Sequence, residues 1–422
     1  MKVLLVHRNF PGQYRHVARH LGSDPSNEVV FITQRKDGQI PGVRKITYRP
    51  RRIVSPYIDH NMRDSEAALL GAQEVARVAL DLRKSGFVPD VMLGHNRWGE
   101  IWYLRDIFPH SPLVGYFEFF YRLQGADVGF DPSDPVTPDT ASSIRAKNLG
   151  NLLGLDAANL GQCATHWQKS GYPKRYRPIM HVMHEGIDSQ VVVPDPTARL
   201  HMPDTQIELA AGDEVVTYVA RNLEPYRGFP IFMRSLPRIL DRRPKAHVVI
   251  VGGDGVGYGA QPPEGRTFRQ DSLNELGDSL DLSRVHFLGR VPYTTFLKVL
   301  QISRVHIYLT YPFVLSWSML EAMSAGCLVV GSKTAPVEEV IRDCGNGLLV
   351  DFFSPEEIAA RAIEALEDSR VYQTIRQNAR LTIFDEYDLR TICLPAHMSL
   401  MNALARKSQS SRQAGRATST WA

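Results

Sequence analysis

Tyr311-Pro-Phe-Val-Leu-Ser-Trp-Ser-Met-Leu-Glu321-Ala-Met-Ser-Ala-Gly326-Cys-Leu-Val-Val330, preceded by the apolar run Val305-His-Ile-Tyr-Leu-Thr310, is the stretch whose reading decides the fold. It spells strand, tight loop, helix, glycine stop and strand, with Glu321 one to two turns inside the helix. The unpaired N–H groups and positive dipole end of such a helix suit a phosphate, and a carboxylate slightly further in accepts hydrogen bonds from hydroxyls.

Working outward, the same alternation fills the chain. In the first half, short apolar runs at 3–7, 29–33, 91–94, 113–117 and 179–184 alternate with helical patterns at 14–21, 65–85 and 98–107. In the second, runs at 215–220, 246–251, 285–288, 305–310, 328–331 and 347–350 alternate with helices at 229–240 and 294–301. Such alternation predicts parallel sheets covered by helices. At 422 residues the chain exceeds one ordinary core. The fold class read here is α/β, two Rossmann-like domains facing across a cleft, with ligands at the carboxyl ends of the strands. The polar Val193-Pro-Asp-Pro-Thr197 break places the linker between about 190 and 212. The domains expected are 1–195 and 205–385, followed by a helical segment at 386–405 returning to the first. The Ser- and Arg-rich 406–422 is expected to be a disordered tail.

Composition removes several functional classes. A hydrophobic content of 43%, a charged content of 22% and a net charge of +4 describe a soluble globular chain without the basic excess of a nucleic-acid binder. Cys163, Cys327, Cys344 and Cys393 lie far apart, without the spacing of a zinc site, and suit a reducing cytoplasm. The opening Met1-Lys-Val-Leu-Leu-Val6 reads as a buried strand rather than a leader, and no run is long enough to span a membrane. No metal or cofactor is expected.

Several strand-end segments carry groups suited to chemistry. Val219-Ala-Arg221-Asn-Leu-Glu-Pro-Tyr-Arg227-Gly228 joins a strand to a helix, and two guanidiniums there can converge on a diphosphate; the alternative is two solvated surface arginines. Ile250-Val-Gly252-Gly-Asp-Gly255-Val-Gly257 resembles a dinucleotide fingerprint only loosely, lacks a following amphipathic helix and reads as a strand-to-loop turn. Gly289 and Val291, in Phe287-Leu-Gly289-Arg290-Val291-Pro292, offer backbone to a flat base or form an ordinary turn. In the first half, Gly12 lets the backbone approach a ligand or serves a plain βα turn, and His95 and Glu118 each end a strand. A lone His is more often structural, whereas an acid in the aromatic run Tyr116-Phe-Glu118-Phe-Phe-Tyr121 is costly unless it works.

Together these segments resemble the retaining nucleotide-sugar glycosyltransferases of family four, a group with the GT-B fold, over about residues 1–385. The family's Gly-Arg loop and Glu-Lys-Gly appear as Ala220-Arg221 and Tyr226-Arg227-Gly228, its Asn-Gly-Val-Asp turn as Glu185-Gly-Ile-Asp188, and its Phe-Leu-Gly loop as Phe287-Leu-Gly289. Its Leu-Glu-Ala-Met-Ala-Cys-Gly helix appears as Leu320-Glu-Ala-Met-Ser-Ala-Gly326. The resemblance implies that Arg221 and Arg227 hold a donor diphosphate with the amides near Leu315 and Ser316, and that Glu321 holds the ribose. Two positions depart from it. Phe313 stands eight positions before Glu321, where the family has a Glu touching the donor sugar, and Glu118 stands where a His is common. The pattern Tyr311-Pro-Phe-Val-Leu-Ser-Trp-Ser318 together with Tyr116-Phe-Glu-Phe-Phe-Tyr121 suggests a distinct subgroup, similar to uncharacterised bacterial surface-polysaccharide transferases.

The expected reaction moves a sugar from a nucleotide-diphosphate donor to a hydroxyl of a glycan or lipid-linked glycan acceptor, with retention, no metal, and His95 and Glu118 orienting the sugar. The acceptor is expected on the first domain, where Tyr48–Arg52 and Lys169–Arg177 either meet an anionic membrane surface from the cytoplasmic side or are solvated charge. The alternatives are a phosphorylase, a sugar-nucleotide epimerase, and an inactive GT-B scaffold that keeps the nucleotide-sugar fold.

Overall fold

The computed structural model describes residues 1–203, 205–367 and 372–418, of which 411–418 are described as backbone only. Two parallel sheets organise it, each inside its own unit: Met1–Gly186 with Arg390–Ala422, and Ile187–Leu389.

In the first unit the strands are Lys2–Val6 (β1), Glu28–Thr33 (β2), Val43–Thr47 (β3), Val91–His95 (β4), Leu113–Tyr116 (β5), Leu160–Cys163 (β6) and Met180–Val182 (β7). Their order is β3-β2-β1-β4-β5-β6-β7, and every pair is parallel. The inner strands β1, β2, β4 and β5 are buried on both faces, which is why they read as largely apolar runs, whereas the edge strand β3, Val-Arg-Lys-Ile-Thr, is only partly covered. Leu4 and Val6 face a core with Val75, Ala79 and Leu82 of the helix Arg63–Lys84. Val3 and Leu5 face the other core, with Val17, Ala18 and Leu21 of the helix Arg15–Ser23. The strand order reverses between β1 and β4, so the loops after them open a crevice at their carboxyl ends.

The helix Leu394–Thr418 belongs to this unit. Its Met401 joins the second core, and Ser408 donates to the His110 carbonyl at 2.7 Å. Nδ1 of His397 meets the Cys393 carbonyl at 2.8 Å, so that nitrogen carries the proton, and Nε2 accepts from Gln162 at 2.9 Å. The expectation of disorder from 406 is thus corrected as far as Thr418: the Ala, Gln, Lys and Arg content favours helix, and buried Ala405 and Ser408 fasten its first part. The remainder of that tail, 419–422, lies outside the described residues.

The second unit holds Arg199–His201 (β8), Glu208–Ala210 (β9), Val215–Asn222 (β10), His247–Gly253 (β11), Val285–Gly289 (β12), Val305–Tyr308 (β13), Leu328–Ser332 (β14) and Leu348–Val350 (β15). The parallel sheet runs β12-β11-β10-β13-β14-β15, with its own reversal between β10 and β13. The division between units falls at Gly186/Ile187, not within 190–212. That polar stretch includes the antiparallel β8–β9 hairpin, whose flanking Ala198 and Met202 and whose Leu209 are buried with Val215, Val249 and Val299. Its prolines mark turns, not a free tether. At the unit's edge Ile187 exchanges backbone hydrogen bonds with Tyr387 and Leu389, each within 2.9 Å.

Buried neutral histidines tie stability to pH. His306 on β13, hydrogen-bonded to Thr217 at 2.8 Å, is pushed down from 6.5 to about 3 by burial. His7 and His95 are held at about 3, chiefly by burial as well. The unfolded chain takes up these protons first, so the stability they supply is complete above about pH 6.5 and drains as pH falls toward 3. Urea midpoints are expected to fall between pH 7 and pH 4.5, and His306→Asn, which keeps a partner for Thr217, to flatten that fall. Equal slopes for the variant and the parent would exclude His306 as a contributor.

Candidate functional site

At the reversal between β10 and β13, the chain leaves β10 through Arg221, turns at Pro225–Arg227 and enters the helix Phe229–Arg242. Gly228 makes this turn with φ +67°, and a Cβ there would lie 2.5 Å from the Leu309 Cβ, so only glycine fits. Arg227 points inward. It is 9% exposed, and its Nη1 donates to Thr310 Oγ1 at 2.7 Å and the Val314 carbonyl at 3.0 Å, with the Tyr308 hydroxyl at 3.5 Å.

These contacts fix the loop 310–316 that launches the helix Trp317–Ser324. Ser316 caps that helix through its hydroxyl, which accepts from the Ser318 amide at 3.3 Å, while the Ser316 amide donates to the Tyr308 hydroxyl at 2.8 Å. Glu321 is buried, and Tyr293 donates its hydroxyl to Oε1 at 2.8 Å. The sequence reading sent Arg221, Arg227 and the Ser316 amide alike toward a ligand. In the structure Arg221 is exposed, whereas the Arg227 Nη1 and the Ser316 amide bind the protein itself. A buried guanidinium must satisfy its donors nearby, and the loop oxygens are in reach. Leu315 packs its side chain onto the core around Met319 and Val329.

The glycine-rich loop after β11 is held from below. Glu224 Oε2 accepts the amides of Gly257 and Tyr258, both at 2.8 Å, and burial pushes its carboxyl above the usual range against those hydrogen bonds. Arg290 reaches over the loop and donates to Asn222 Oδ1 at 2.8 Å. Neither residue was singled out from sequence; the signal for Arg290 was its place directly after the glycine that ends β12. Gly289 has φ +64° and nothing crowds a Cβ there, so its backbone angle alone selects glycine, and Val291 packs against the hairpin core.

Phe313, at the position of the family's acid, is buried among rings, with Tyr258 at 4.8 Å and Tyr226 at 5.7 Å between centroids. Tyr226 stacks on Tyr311 at 4.6 Å.

In the first unit, His95 is fully buried between the stacked rings of Trp98, at 4.9 Å, and Tyr116, at 5.0 Å. Its Nδ1 accepts the Arg97 amide at 3.2 Å. The structure therefore places the expected site residue His95 beneath an aromatic-rich strand end rather than at an open one. Gly12, with φ +53°, would place a Cβ 2.5 Å from the Nε2 of His7. Its glycine is demanded by that ring, whose Nδ1 accepts from Asn9 and whose Nε2 donates to Gln13. Glu118 is half-buried and lines a cavity of about 570 Å³ together with Arg8, Arg97, Trp98, Tyr121 and Lys147. Of the basic stretches, Arg52 is paired with Glu66 at 2.6 Å, and Arg177 donates to the carbonyls of Tyr172 and Ser170.

Among the described residues no cluster of three or more His, Cys, Asp or Glu could hold a metal ion, and no helix is long and apolar enough to cross a membrane.

Against this geometry, the family model described as glycosyl transferase family 4 group matches residues 25–192, and the one described as glycosyl transferases group 1 matches residues 204–382. The chain belongs to the group 1, family 4 glycosyltransferases, and its two parallel-sheet α/β units make the GT-B fold. An uncharacterised glycosyltransferase of Methanocaldococcus jannaschii is 28% identical over 119 residues, 28% of this chain and 30% of its own length. The phosphatidyl-myo-inositol mannosyltransferase of Mycolicibacterium smegmatis is 25% identical over 250 residues, 52% of this chain and 60% of its own length. The chain thus spans between 30% and 60% of the length of these curated relatives. Among solved structures, the sucrose-phosphate synthase of Thermosynechococcus elongatus superposes with a TM-score of 0.70 at 17% identity, covering 96% of this chain and all of that one. HepE of Anabaena in complex with UDP does so with a TM-score of 0.65 at 17% identity, over 95% of this chain and all of that one.

The Glu224 tether generates a test. Glu224→Ala removes the acceptor for two amides, so exchange at Gly257 and Tyr258 is expected to accelerate roughly tenfold or more, as for loss of charge-assisted hydrogen bonds, with Glu224→Gln intermediate. Unchanged protection in hydrogen–deuterium exchange would show that the loop is held by something else.

Proposed function

We propose that the chain transfers a sugar from a nucleotide-diphosphate donor to a hydroxyl of a glycan or lipid-linked glycan, with retention at the anomeric carbon and without a metal ion. The observation that supports this reading is the buried brace of Arg227 on the loop 310–316, which fixes the start of the helix that carries Glu321 beside the end of β10, where Arg221 is exposed, in a chain of this family. Arg221 meets the diphosphate, Arg227 adds charge from beneath while holding the loop, and Glu321, oriented by Tyr293, accepts hydroxyls of the ribose. Gly289 and Val291 offer backbone to the base.

As the bond from the anomeric carbon to the diphosphate oxygen breaks, negative charge grows on the leaving group, where fixed guanidiniums stabilise it. The acceptor oxygen bonds to the same face, and its proton passes to the departing phosphate oxygen, so no protein base is needed. Glu118 orients the sugar or acceptor, and buried His95 supports the loop after β4. The solved neighbour with UDP bound favours a uridine nucleotide, and the mannosyltransferase relative a hexose donor. The burial of Phe313 among rings, where family members place an acid, keeps an inactive nucleotide-sugar-binding scaffold as the second reading.

A melting-temperature screen against UDP-, GDP- and ADP-sugars tests this. A donor at about a hundred times its Kd adds about 2.7 kcal/mol to stability and raises the midpoint by several degrees. Arg221→Ala is expected to lower turnover roughly a hundredfold, the scale on which one stabilising group matters, and Glu321→Gln to weaken donor binding more than it slows the bound complex. Binding without transfer to any acceptor marks the scaffold, and no shift with any donor sinks the transferase.

The loop after β3 supports peripheral contact with the cytoplasmic face of a membrane, since Ile53 and Tyr57 are 84% and 96% exposed beside Arg49, Arg51 and Arg52. The protein should sediment with anionic vesicles, and Ile53→Asp combined with Tyr57→Asp should abolish this. Persistence of binding would move the contact elsewhere.

A further inference from the structure

Glu224 is an acid set among groups that attract anions. It stands directly before the Pro225–Arg227 turn of the second unit and is 1% exposed. Its Oε2 takes the amides of both Gly257 and Tyr258 at 2.8 Å, two successive main-chain donors aimed at one point. Its Oε1 is buried and meets no hydrogen-bond donor among the described residues. Burial pushes the carboxyl above the usual range, against the two amides and the positive charges of Arg227 and Arg221.

Successive main-chain N–H groups that converge on one oxygen form the kind of concavity in which chains bind phosphate, and an ionised acceptor there makes the strong, charge-assisted bond. Glycines allow the loop to close in this way. A Cβ on Gly257 would lie 3.2 Å from both Glu224 Oε1 and Asn222 Nδ2, and one on Gly259, with φ +77°, would lie 2.9 Å from the Tyr226 ring.

A tether alone does not call for an acid. The side-chain oxygen of a glutamine would accept the same two amides without the cost of taking an ion out of water, and a buried carboxylate with one oxygen left over adds to that cost. What the charge does bring is likeness to a phosphate. Arg221 and Arg227, the cations that the transferase reading gives to a diphosphate, act on this carboxylate already, and the loop adds two amides to the set.

We infer that the Gly257 and Tyr258 amides are a phosphate site which Glu224 fills from within the chain, so that an incoming diphosphate competes with an internal anion. A phosphate oxygen takes the place of Oε2 on the two amides, and Glu224 gives them up. The exchange keeps the loop closed without ligand and lowers the affinity for ligand. That the diphosphate belongs to a sugar donor rests on the transferase reading, whereas the anion site stands on the loop and its acid.

Calorimetry with inorganic pyrophosphate at neutral pH, on the full chain, compares the parent with Glu224→Gln and Glu224→Ala. Both variants lack the internal anion and are expected to bind pyrophosphate roughly tenfold tighter than the parent, the scale of one charge-assisted hydrogen bond, with a gain that shrinks as salt rises. Hydrogen–deuterium exchange locates the effect: in Glu224→Ala, pyrophosphate should restore the protection that Gly257 and Tyr258 lose with their acceptor. Circular dichroism and urea midpoints show which variants fold, and either one that folds decides the matter. Equal or weaker binding by a folded variant, or exchange at the two amides that pyrophosphate leaves unchanged, overturns the inference and makes Glu224 a plain tether. A melting shift with a nucleotide sugar but no tightening in the variants leaves the transferase standing and removes this site. Tightening toward pyrophosphate with no shift for any nucleotide sugar does the reverse.

Discussion

A guanidinium cannot be taken out of water without replacing the hydrogen bonds it loses, and Arg227 obeys that constraint by reaching across the β10–β13 reversal. Its Nη1 gathers Thr310 Oγ1 and the Val314 carbonyl, with the Tyr308 hydroxyl at longer range, and that hydroxyl in turn accepts the Ser316 amide. One buried cation therefore sets the path of the loop, the start of the helix Trp317–Ser324 and, through the helix, the place of Glu321. Removing it would cost more than a contact, because the polar groups it satisfies would be left without it in a low-dielectric interior.

The two units solve one packing problem twice. A parallel sheet needs cover on both faces, and helices supply it, so polar function is left to the strand ends, where backbone groups emerge unpaired. In the second unit those ends carry the Arg221–Gly228 turn, the loop tethered by Glu224 and the loop braced by Arg227. In the first they carry a cavity whose cations are held by aromatic and amide groups. The contrast is one of burial: the second unit hides its cation to build a loop, and the first exposes its cations around a hollow.

Strands such as β1, β2 and β14 were legible because they are largely apolar runs, whereas β3, β6, β8 and β9, which carry Arg44-Lys45, Gly161-Gln162, Arg199 and Glu208, leave no such run and were missed. The glycines at 228 and 289 were legible too, because a positive φ leaves a chemical mark on the sequence. What composition cannot report is direction. Arg221 and Arg227 are the same residue type on one turn, and only the packing around Gly228 decides that one looks outward and the other in. The burial of His95 was illegible for a related reason, since the spacing of Tyr116 and Trp98 does not say that their rings will stack on it. The segment 190–212 looked like a tether because prolines punctuate hairpins and linkers alike. The cavity was the least legible feature: Arg8, Arg49, Arg97 and Lys147 come from four separate loops and helix ends, and no spacing announces their meeting.

Phe313 shows how packing can close a route that chemistry would leave open. Its ring sits edge-on to Tyr258 and Tyr226, and Tyr226 is stacked in turn on Tyr311. A carboxylate placed there would arrive among ring faces, desolvated and facing their negative π clouds. An acid at this position would therefore require several coordinated replacements of the surrounding rings rather than one.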